Sequence, residues 1–280
     1  MLGPKSRQLL PLSPSTLVYL CLFVAPFTIF FVISFWTVRR YRLQPGFTFE
    51  NYVDVGQKYY SALLFTFTIA LIIAVIVTVV GFAFAYAIRF KAGRWGPLCV
   101  SITLITLFGG YLVKIYAWKT ILGNEGILNS ALIGLRIIEQ PLSYLLYSPG
   151  ATVLTLGHWL LPLSALPIIA SLRGIEDSAI DSARDLGARP RQIFFDIILP
   201  QAGPGLMAAF AFCFLIAAGD FVTPRMVGGP QTSMIGVFIQ TQFSTRFNWP
   251  LGAAMSFVIL FSSVAILAIL RPLALLWRPR

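Results

Sequence analysis

The chain has 280 residues, of which 58% are hydrophobic, and its mean hydropathy is +0.82. A soluble domain cannot bury that much apolar surface, so a lipid bilayer must be its solvent. The formal net charge is +11, but the Lys and Arg residues gather at the ends of apolar runs, where they contact lipid headgroups. No basic stripe lies on a soluble domain, so nucleic acid is excluded as a partner.

Apolar runs of about 20 residues predict six transmembrane helices. In chain order they are residues 17–37, 61–88, 98–118, 151–172, 203–221 and 251–270. The runs are continuously apolar and do not alternate, which favours helices over a β-barrel. The predicted fold class is therefore an all-α integral membrane protein. A short N-terminal segment, 1–16, precedes a single transmembrane domain, 17–280.

The distribution of basic residues predicts the orientation of the chain. With the N-terminus inside, the inner segments hold 12 of the 21 Lys and Arg residues. The loop 89–94 and the tail 278–280 are the clearest inward signals, whereas the basic segment 39–42 opposes them. We predict a multi-pass protein with both termini in the cytoplasm, so that the segments 1–16 and 174–200 lie inside.

The third predicted span carries a cation among aromatic residues. Lys114 lies between Tyr111 and Tyr116, and Trp118 follows. The Lys114 ammonium either extends to the membrane surface or faces the interior. For an inward Lys114 a structural or gating role is favoured, because a buried cation would repel a cationic solute. The aromatic rings either bind a cation through their faces or belong to the interfacial aromatic belt.

The chain has one histidine and three cysteines. His158 falls within the fourth span with no second ligand in its pattern, and we expect it to hydrogen-bond inside the helix bundle. Cys21, Cys99 and Cys213 lie in apolar runs and show no CxxC spacing. Neither a disulfide framework nor a metal site is predicted.

An outer segment, 120–147, connects the third and fourth spans. Its stretch 127–138 is amphipathic and predicts a re-entrant or surface helix. Glu125 and Glu139 flank that stretch and are candidates for contact with a protein that delivers a solute.

One long polar segment, 174–200, interrupts the apolar spans. Asp177 can cap a helix N-terminus, and Gly187 suits the left-handed position that ends a helix. Pro190 then opens a second helix, which Pro200 is expected to break before the fifth span. The pattern predicts helix, tight turn, helix and then membrane. The hairpin either docks on a partner protein or lies as a solvated loop on the lipid headgroups.

The first helix of this hairpin presents small side chains. Ala179, Ala183 and Leu186 follow one another at spacings of four and three, so they share one face that fits a cleft on another protein. The second helix carries an apolar stripe formed by Ile193, Phe194, Ile197 and Ile198.

The spacing within the hairpin resembles the EAA signature of permease subunits of ABC importers. Asp181-Ser182-Ala183 is followed after three residues by Gly187, and after nine more by Ile197-x-Leu199-Pro200. In that family this loop is the coupling helix that docks onto the cytoplasmic ATPase. Asp181 replaces the usual Glu and Ser182 the first Ala; charge and small size are kept, so we expect the dock to persist. The coupling residues implied by the resemblance are Ala179, Asp181, Ser182, Ala183, Arg184, Asp185, Gly187, Leu199 and Pro200.

Further motifs resemble permeases of the spermidine/putrescine type, over about residues 52–270. They are Tyr116-Ala117-Trp118, Ala218-Gly219-Asp220-Phe221-Val222-Thr223-Pro224, Gly228-Gly229-Pro230 and Phe247-Asn248-Trp249-Pro250. The resemblance implies the six-helix fold of a type I ABC importer permease in a bacterial inner membrane. The same branch includes importers of other solutes, so the resemblance predicts the fold more firmly than the substrate.

Asp220 lies at the outer end of the fifth span, where an acidic residue near membrane depth is costly and often functional. It either pairs with a substrate ammonium group or acts as an interfacial cap or a partner for Arg225. The candidate residues of a substrate pathway are Asp220, Tyr111, Lys114, Tyr116 and Trp118.

The family resemblance implies several partners. They are a second permease subunit, an ATPase dimer, an external solute-binding protein, membrane lipid, and a polyamine or another small solute. No nucleotide-binding loop of the GxxxxGK[ST] type occurs in the chain. We therefore expect no cofactor on this chain, no enzyme activity of its own, and ATP with Mg²⁺ on the partner ATPase.

The alternatives remain open at this point. The solute is a polyamine, or else an amino acid, an opine or iron. A channel or scaffold without ATP coupling has no need for the hairpin pattern, and a membrane-embedded enzyme lacks converging catalytic side chains. The predicted outer half holds nine basic and five acidic residues, so long-range steering would not favour a polycation.

Overall fold

The computed structural model describes residues 13–40, 42–230 and 232–275. The predicted N-terminal segment 1–16 lies largely outside the described residues, and so do the charges of the tail 278–280. The predicted orientation of the termini therefore stays a prediction.

The described chain is mostly helical, with one small sheet. The helices are α1 (Ser13–Tyr19), α2 (Ala25–Ile33), α3 (Glu50–Lys58), α4 (Tyr60–Phe90), α5 (Gly96–Phe108), α6 (Tyr111–Leu122), α7 (Ile127–Gly134), α8 (Pro149–Arg173), α9 (Asp177–Asp185), α10 (Pro190–Gln192), α11 (Leu199–Gly219), α12 (Ile235–Ser244) and α13 (Trp249–Leu275). Strands β1 (Thr37–Arg39) and β2 (Arg42–Gln44) form an antiparallel hairpin. A 3₁₀ turn spans Gly93–Trp95, and π-helical segments span Leu20–Val24, Ile193–Ile198 and Pro224–Gly228.

Five continuous helices in the described part are long and apolar enough to cross a membrane. They are Thr16–Ile33, Tyr60–Phe90, Pro149–Arg173, Pro190–Gly219 and Trp249–Leu270. A sixth span is counted when the bent pair Gly93–Phe108 and Tyr111–Gly134 is taken together. The predicted all-α membrane fold is confirmed, and three of the predicted spans need correction.

The first span ends earlier than predicted. Its helix stops at Ile33, and the chain enters strand β1 at Thr37 instead of continuing in helix to residue 37. The side-chain amide of Asn51 donates to the carbonyls of Ser34 and Trp36, at 2.8 Å each. These bonds satisfy backbone groups that a helix end leaves open, so the helix can end there without cost.

The third span is broken, although the sequence predicts one helix over 98–118. Helices α5 and α6 meet at a bend of 90°, where Gly109 and Gly110 have extended backbones, with ψ of 128° and 125°. These dihedral angles are open to any residue, but a Cβ at Gly109 would lie 3.2 Å from the carbonyl oxygen of Thr106, so a residue without a side chain fits closely there. The Nζ atom of Lys114 donates to the carbonyl of Thr106 at 2.6 Å, which places a cation at the negative end of α5.

Pro200 does not break the hairpin from the fifth span, contrary to the prediction. Helix runs from Pro190 to Gly219 through the π-helical segment Ile193–Ile198. The N–H of Leu199 bonds to the carbonyl of Phe194 in the i to i−5 pattern of a π-helix. Proline has no backbone N–H to donate, and its ring clashes with the preceding helical turn. The wider π-helical turn before Pro200 accommodates both, so the helix continues. The fifth span is thus continuous with the polar hairpin.

Two compact units are distinguished by their contacts. The first comprises the described part of Met1–Tyr60 together with Phe238–Leu260. Within it, the ring of Phe35 lies 4.9 Å from that of Phe47 and 5.3 Å from that of Tyr52. Phe27 packs edge-on against Phe257, with ring centroids 5.0 Å apart. Aromatic packing of this kind joins the first span to the start of the last.

The second unit comprises Ser61–Val237 and the chain from Phe261. Helices α8 and α11 pack closely through small residues: a Cβ added at Gly205 would lie 2.6 Å from Ser171 Oγ. Small residues at helix interfaces are the usual means by which transmembrane helices approach each other. The Oγ of Ser164 on α8 donates to the carbonyl of Val77 on α4 at 2.9 Å. This unit carries the polar hairpin.

Candidate functional site

The first helix of the hairpin has well-defined ends. It begins after Glu176, whose backbone is extended, and so Asp177 is its first residue and not the cap predicted from the sequence. At the other end Gly187 has φ of +82°. The N–H of Gly187 bonds to the carbonyl of Arg184 and that of Ala188 to the carbonyl of Ala183, at 2.9 Å each. This pair of bonds is a Schellman motif, which fixes the turn.

The hairpin is attached to the membrane helices through one buried side chain of α9. Ile180 is 5% exposed and lies in a cluster with Ile175, Ile193 and Ile198. That cluster continues into α8 and α4 through residues that include Ile168 and Ala85. Helix α9 is therefore packed against the ends of several spans through a single buried cluster.

The opposite surface of α9 is open. Ala179, Asp181, Ser182 and Asp185 are exposed, and Leu186 is 88% exposed. Ala183 is half-buried and packs partly against the cluster around Ile180. Arg184 pairs with Asp181 at 2.9 Å, one turn apart on the same surface. The three residues predicted to form one face therefore differ in exposure: Ala179 and Leu186 are exposed, whereas Ala183 is half-buried against the cluster.

Arg89 was read from the sequence only as a topology signal, but the structure places it at the base of the hairpin. Its guanidinium donates to the carbonyls of Leu172 and Ile175, at 3.3 and 3.1 Å, and to Asp177 Oδ1 at 2.6 Å. The side chain of Arg89 is 22% exposed and that of Asp177 is 74% exposed. One residue at the end of α4 therefore holds both the C-terminal end of α8 and the first residue of α9.

The second limb of the hairpin leads directly into the fifth span. Pro190 is the first residue of α10, as predicted, and the backbone N–H of Arg189 donates to Gln192 Oε1 at 2.7 Å. Leu199 and Pro200 are half-buried at the start of α11. The residues of the EAA-like pattern thus lie on α9, on the turn at Gly187, and on the continuous helix that leads from Pro190 into α11.

Asp220 and Tyr111 lie together in the second unit. The Tyr111 hydroxyl donates to Asp220 Oδ1 at 2.7 Å and lies 2.7 Å from Thr223 Oγ1. The carboxylate of Asp220 also accepts from the backbone N–H groups of Val222 and Thr223, at 3.1 and 3.3 Å. Asp220 therefore caps the turn that follows α11, and Tyr111 joins that turn to the broken third span. The ring of Tyr111 lies 4.6 Å from that of Trp159.

The other pathway candidates are dispersed along α6. The Nε1 of Trp118 donates to Nδ1 of His158 at 3.1 Å, as expected for a histidine bonded within the bundle. Tyr116 is 57% exposed. Lys114 is engaged with the Thr106 carbonyl at the helix break. Of these candidates, Tyr111 and Asp220 are joined by a hydrogen bond.

The structure also locates the outer segment and shows how the metal-ligating residue types are arranged. Helix α7 covers Ile127–Gly134, within the predicted amphipathic stretch, and Glu125 and Glu139 are exposed. In the part of the chain that the structure describes, no group of three or more His, Cys, Asp or Glu residues is arranged to hold a metal ion.

Comparison with known proteins decides the family. Residues 97–276, well over half of the chain, match the family model described as binding-protein-dependent transport system inner membrane component. The chain belongs to this family. It is therefore a membrane permease of the ABC importer type, as the EAA-like spacing predicted.

Individual relatives agree with this assignment. The permease is 31% identical over 211 residues to the spermidine/putrescine transport system permease protein PotB of Escherichia coli strain K12, covering 75% of this chain and 76% of the relative. The inner membrane ABC transporter permease protein YdcU of the same strain is 33% identical, covering 71% and 67%.

Solved structures agree on the fold. A bacterial ABC transporter involved in the import of the acidic polysaccharide alginate superposes with a TM-score of 0.78 at 14% identity, covering 96% of each chain. The alginate transporter in complex with its pentasaccharide-bound periplasmic protein gives a TM-score of 0.75 at 13% identity, covering 95% and 93%. The six-helix importer fold is thus confirmed.

Proposed function

We propose that this permease carries polyamines, spermidine or putrescine, across a bacterial inner membrane as one subunit of an ATP-driven importer. The observation that carries the proposal is the hairpin built from α9 to α11, which is exposed on one side and continuous with the fifth span on the other. The polyamine assignment is supported by the relative PotB, which is named for spermidine and putrescine and matches three quarters of the chain.

The hairpin is the proposed dock for an ATPase dimer that supplies the energy. In this assignment both termini and the hairpin are cytoplasmic, and ATP with Mg²⁺ binds to the ATPase and not to this chain. The docking face consists of the exposed residues of α9, above all Ala179 and Ser182, together with Leu186 at the end of the helix. Small side chains there let a cleft of the partner close around the helix backbone.

Alternating access follows from how the hairpin is attached. Closure of the ATPase dimer displaces α9, and Ile180 with its cluster transfers that displacement to the ends of α4, α8 and α11. Arg89 keeps α9 in register with α4 and α8 during the movement. The solute then passes between this permease and a companion of similar size.

An external solute-binding protein is the proposed source of the solute. The related alginate transporter was solved in complex with a periplasmic protein. In this chain the exposed carboxylates Glu125 and Glu139 flank helix α7 and are the proposed contacts. Selection by that protein also explains how a polycation reaches a permease whose predicted outer half is net positive.

The test is reconstitution of the permease with its partners and its solute-binding protein in liposomes. ATP hydrolysis and uptake of radiolabelled spermidine and putrescine are measured together, with an amino acid, an opine and an iron complex as comparison solutes. Polyamine-stimulated hydrolysis with uptake supports the whole proposal. Stimulation by another solute alone would discard the polyamine assignment and keep the importer, whereas absence of any co-purifying ATPase would reject the coupling role.

A further inference from the structure

The first compact unit contains an open cavity that the transport cycle does not use. Its volume is about 630 Å³, and it is lined by Arg42, Leu43, Phe247 and Trp249. Phe247 is 55% exposed and Trp249 is 42% exposed, so two aromatic rings remain in contact with the surroundings. The cavity combines one guanidinium with three apolar walls.

The cavity lies at the surface of the bilayer. The β-hairpin that supplies Arg42 and Leu43 begins only a few residues after the first span ends at Ile33. Trp249 is the first residue of the last span. Aromatic residues at the start of a span lie at the headgroup level, so the apolar walls continue towards the hydrocarbon and the guanidinium lies among headgroups.

The hairpin beside the cavity concentrates positive charge. The register pairs Arg39 directly with Arg42 across the two strands, an arrangement in which like charges destabilise a hairpin. Arg40 and Arg246 are also exposed. Among the residues that the structure describes, none of these four arginines forms an ion pair with an acidic side chain. The charge repulsion is therefore not relieved within this part of the protein.

Two residues beside the cavity have left-handed backbone conformations. Arg40 has φ of 50° and Phe247 has φ of 51°, a left-handed conformation that is costly for residues other than Gly, Asn and Asp. Strain of this kind persists where the surroundings enforce it, often at binding sites. At Phe247 it directs a large apolar side chain to the surface and not into the core.

The geometry points to a binding site for an anionic phospholipid, with its phosphate between Arg39 and Arg42 and its acyl chains against Leu43, Phe247 and Trp249. Arginine pairs bind phosphate oxygens through charge-assisted, often bidentate hydrogen bonds. A phosphate there removes the repulsion between the two guanidiniums. The apolar walls that run into the span favour a lipid over an acidic protein surface, which would leave the aromatic rings uncovered.

The test is native mass spectrometry of the purified transporter complex, titrated with dioleoyl phosphatidylglycerol and, separately, with dioleoyl phosphatidylcholine. The double variant Arg39→Gln/Arg42→Gln should weaken phosphatidylglycerol binding about tenfold, because two charge-assisted contacts are lost. Phe247→Gly should also weaken it while relieving the backbone strain, so that folding is preserved. Arg136→Gln removes another exposed arginine outside this unit and should leave binding unchanged.

Three results would overturn the inference. Equal binding of phosphatidylglycerol by the double variant and the native protein would remove the role of the arginines. Displacement of the lipid by equimolar glycerophosphoglycerol, which has the headgroup without acyl chains, would remove the role of the apolar walls. If the double variant still binds lipid but no longer captures the solute-binding protein, the surface would instead bind an acidic face of that protein.

Discussion

Arg89 and Asp177 form an ion pair of 2.6 Å between the end of the second span and the first residue of α9 in the polar hairpin. The Asp177 side chain is largely exposed, so the pair itself contributes at most about 1 kcal/mol. The same guanidinium donates to the carbonyls of Leu172 and Ile175, which lie at and just after the end of α8. Hydrogen bonds from a charged donor contribute about 1.5–3 kcal/mol each, so the carbonyl contacts dominate.

This difference predicts that Arg89→Gln uncouples the transporter and Asp177→Asn does not. Loss of the guanidinium should reduce solute uptake about tenfold at a given rate of ATP hydrolysis, because α9 is no longer held to α4 and α8. Asp177→Asn should change uptake less than about twofold. Both quantities are measured in the reconstituted system described above.

The matched control for Arg89 is Arg173→Gln, which removes an exposed arginine from the last turn of α8. It should behave as the native protein. Arg89→Lys should restore part of the coupling, since an ammonium can reach one carbonyl but cannot reproduce the planar fork. Equal uncoupling by Arg89→Gln and Arg173→Gln would show that positive charge, and not the contacts of Arg89, is what matters.

Ala179→Arg should uncouple ATP hydrolysis from transport without disturbing the fold. Ala179 is exposed on α9, so a long cationic side chain can extend away from the helix, where it obstructs the proposed cleft of the ATPase. Ala183→Arg should uncouple as well and also lower thermal stability, because Ala183 packs partly against the buried cluster. Co-purification of the ATPase and uptake are measured, with Ala179→Ser as the conservative control. Normal uptake by Ala179→Arg would exclude this face as the dock.

The pair Asp220→Asn and Tyr111→Phe separates a substrate role of Asp220 from a structural one. Asn keeps one acceptor oxygen, enough for the Tyr111 hydroxyl and the N–H of Val222, but removes the charge and the second oxygen, which accepts from the N–H of Thr223. Phe removes the hydroxyl, and with it the contacts to Asp220 and Thr223. If Asp220 pairs with a substrate ammonium, Asp220→Asn should raise the apparent KM for polyamine about tenfold. Tyr111→Phe should change KM much less. An unchanged KM for Asp220→Asn leaves Asp220 only its capping role.

Two glycines on α11 test the close packing of the fourth and fifth spans. A Cβ at Gly205 would lie 2.6 Å from Ser171 Oγ, whereas a Cβ at Gly203 would meet no atom within 4 Å. Gly205→Ala should lower stability by about 1–3 kcal/mol through overpacking. Gly203→Ala should be neutral or stabilising by up to about 1 kcal/mol. The thermal unfolding of the two variants in the same detergent compares them directly, and equal midpoints would contradict the close contact.

The amino-acid sequence alone determined the membrane class, the approximate spans and the family. These depend on the lengths of apolar runs and on local spacings such as that from Asp181 to Pro200, which are readable without knowledge of contacts. Gly187 was correctly predicted to end α9 in the left-handed conformation, because that requirement is local to the turn.

Only the tertiary structure decided where helices break and which side chains meet. The apolar run around Gly109 predicts one straight helix, but the structure bends there. Pro200 predicts a helix break, but the helix continues through it. Hydropathy predicts neither, because it does not report which backbone groups find hydrogen-bond partners. Arg89 contacts a carboxylate 88 residues away, and Tyr111 contacts one 109 residues away. Such partners are brought together by the packing of spans, and a one-dimensional pattern contains no measure of that distance.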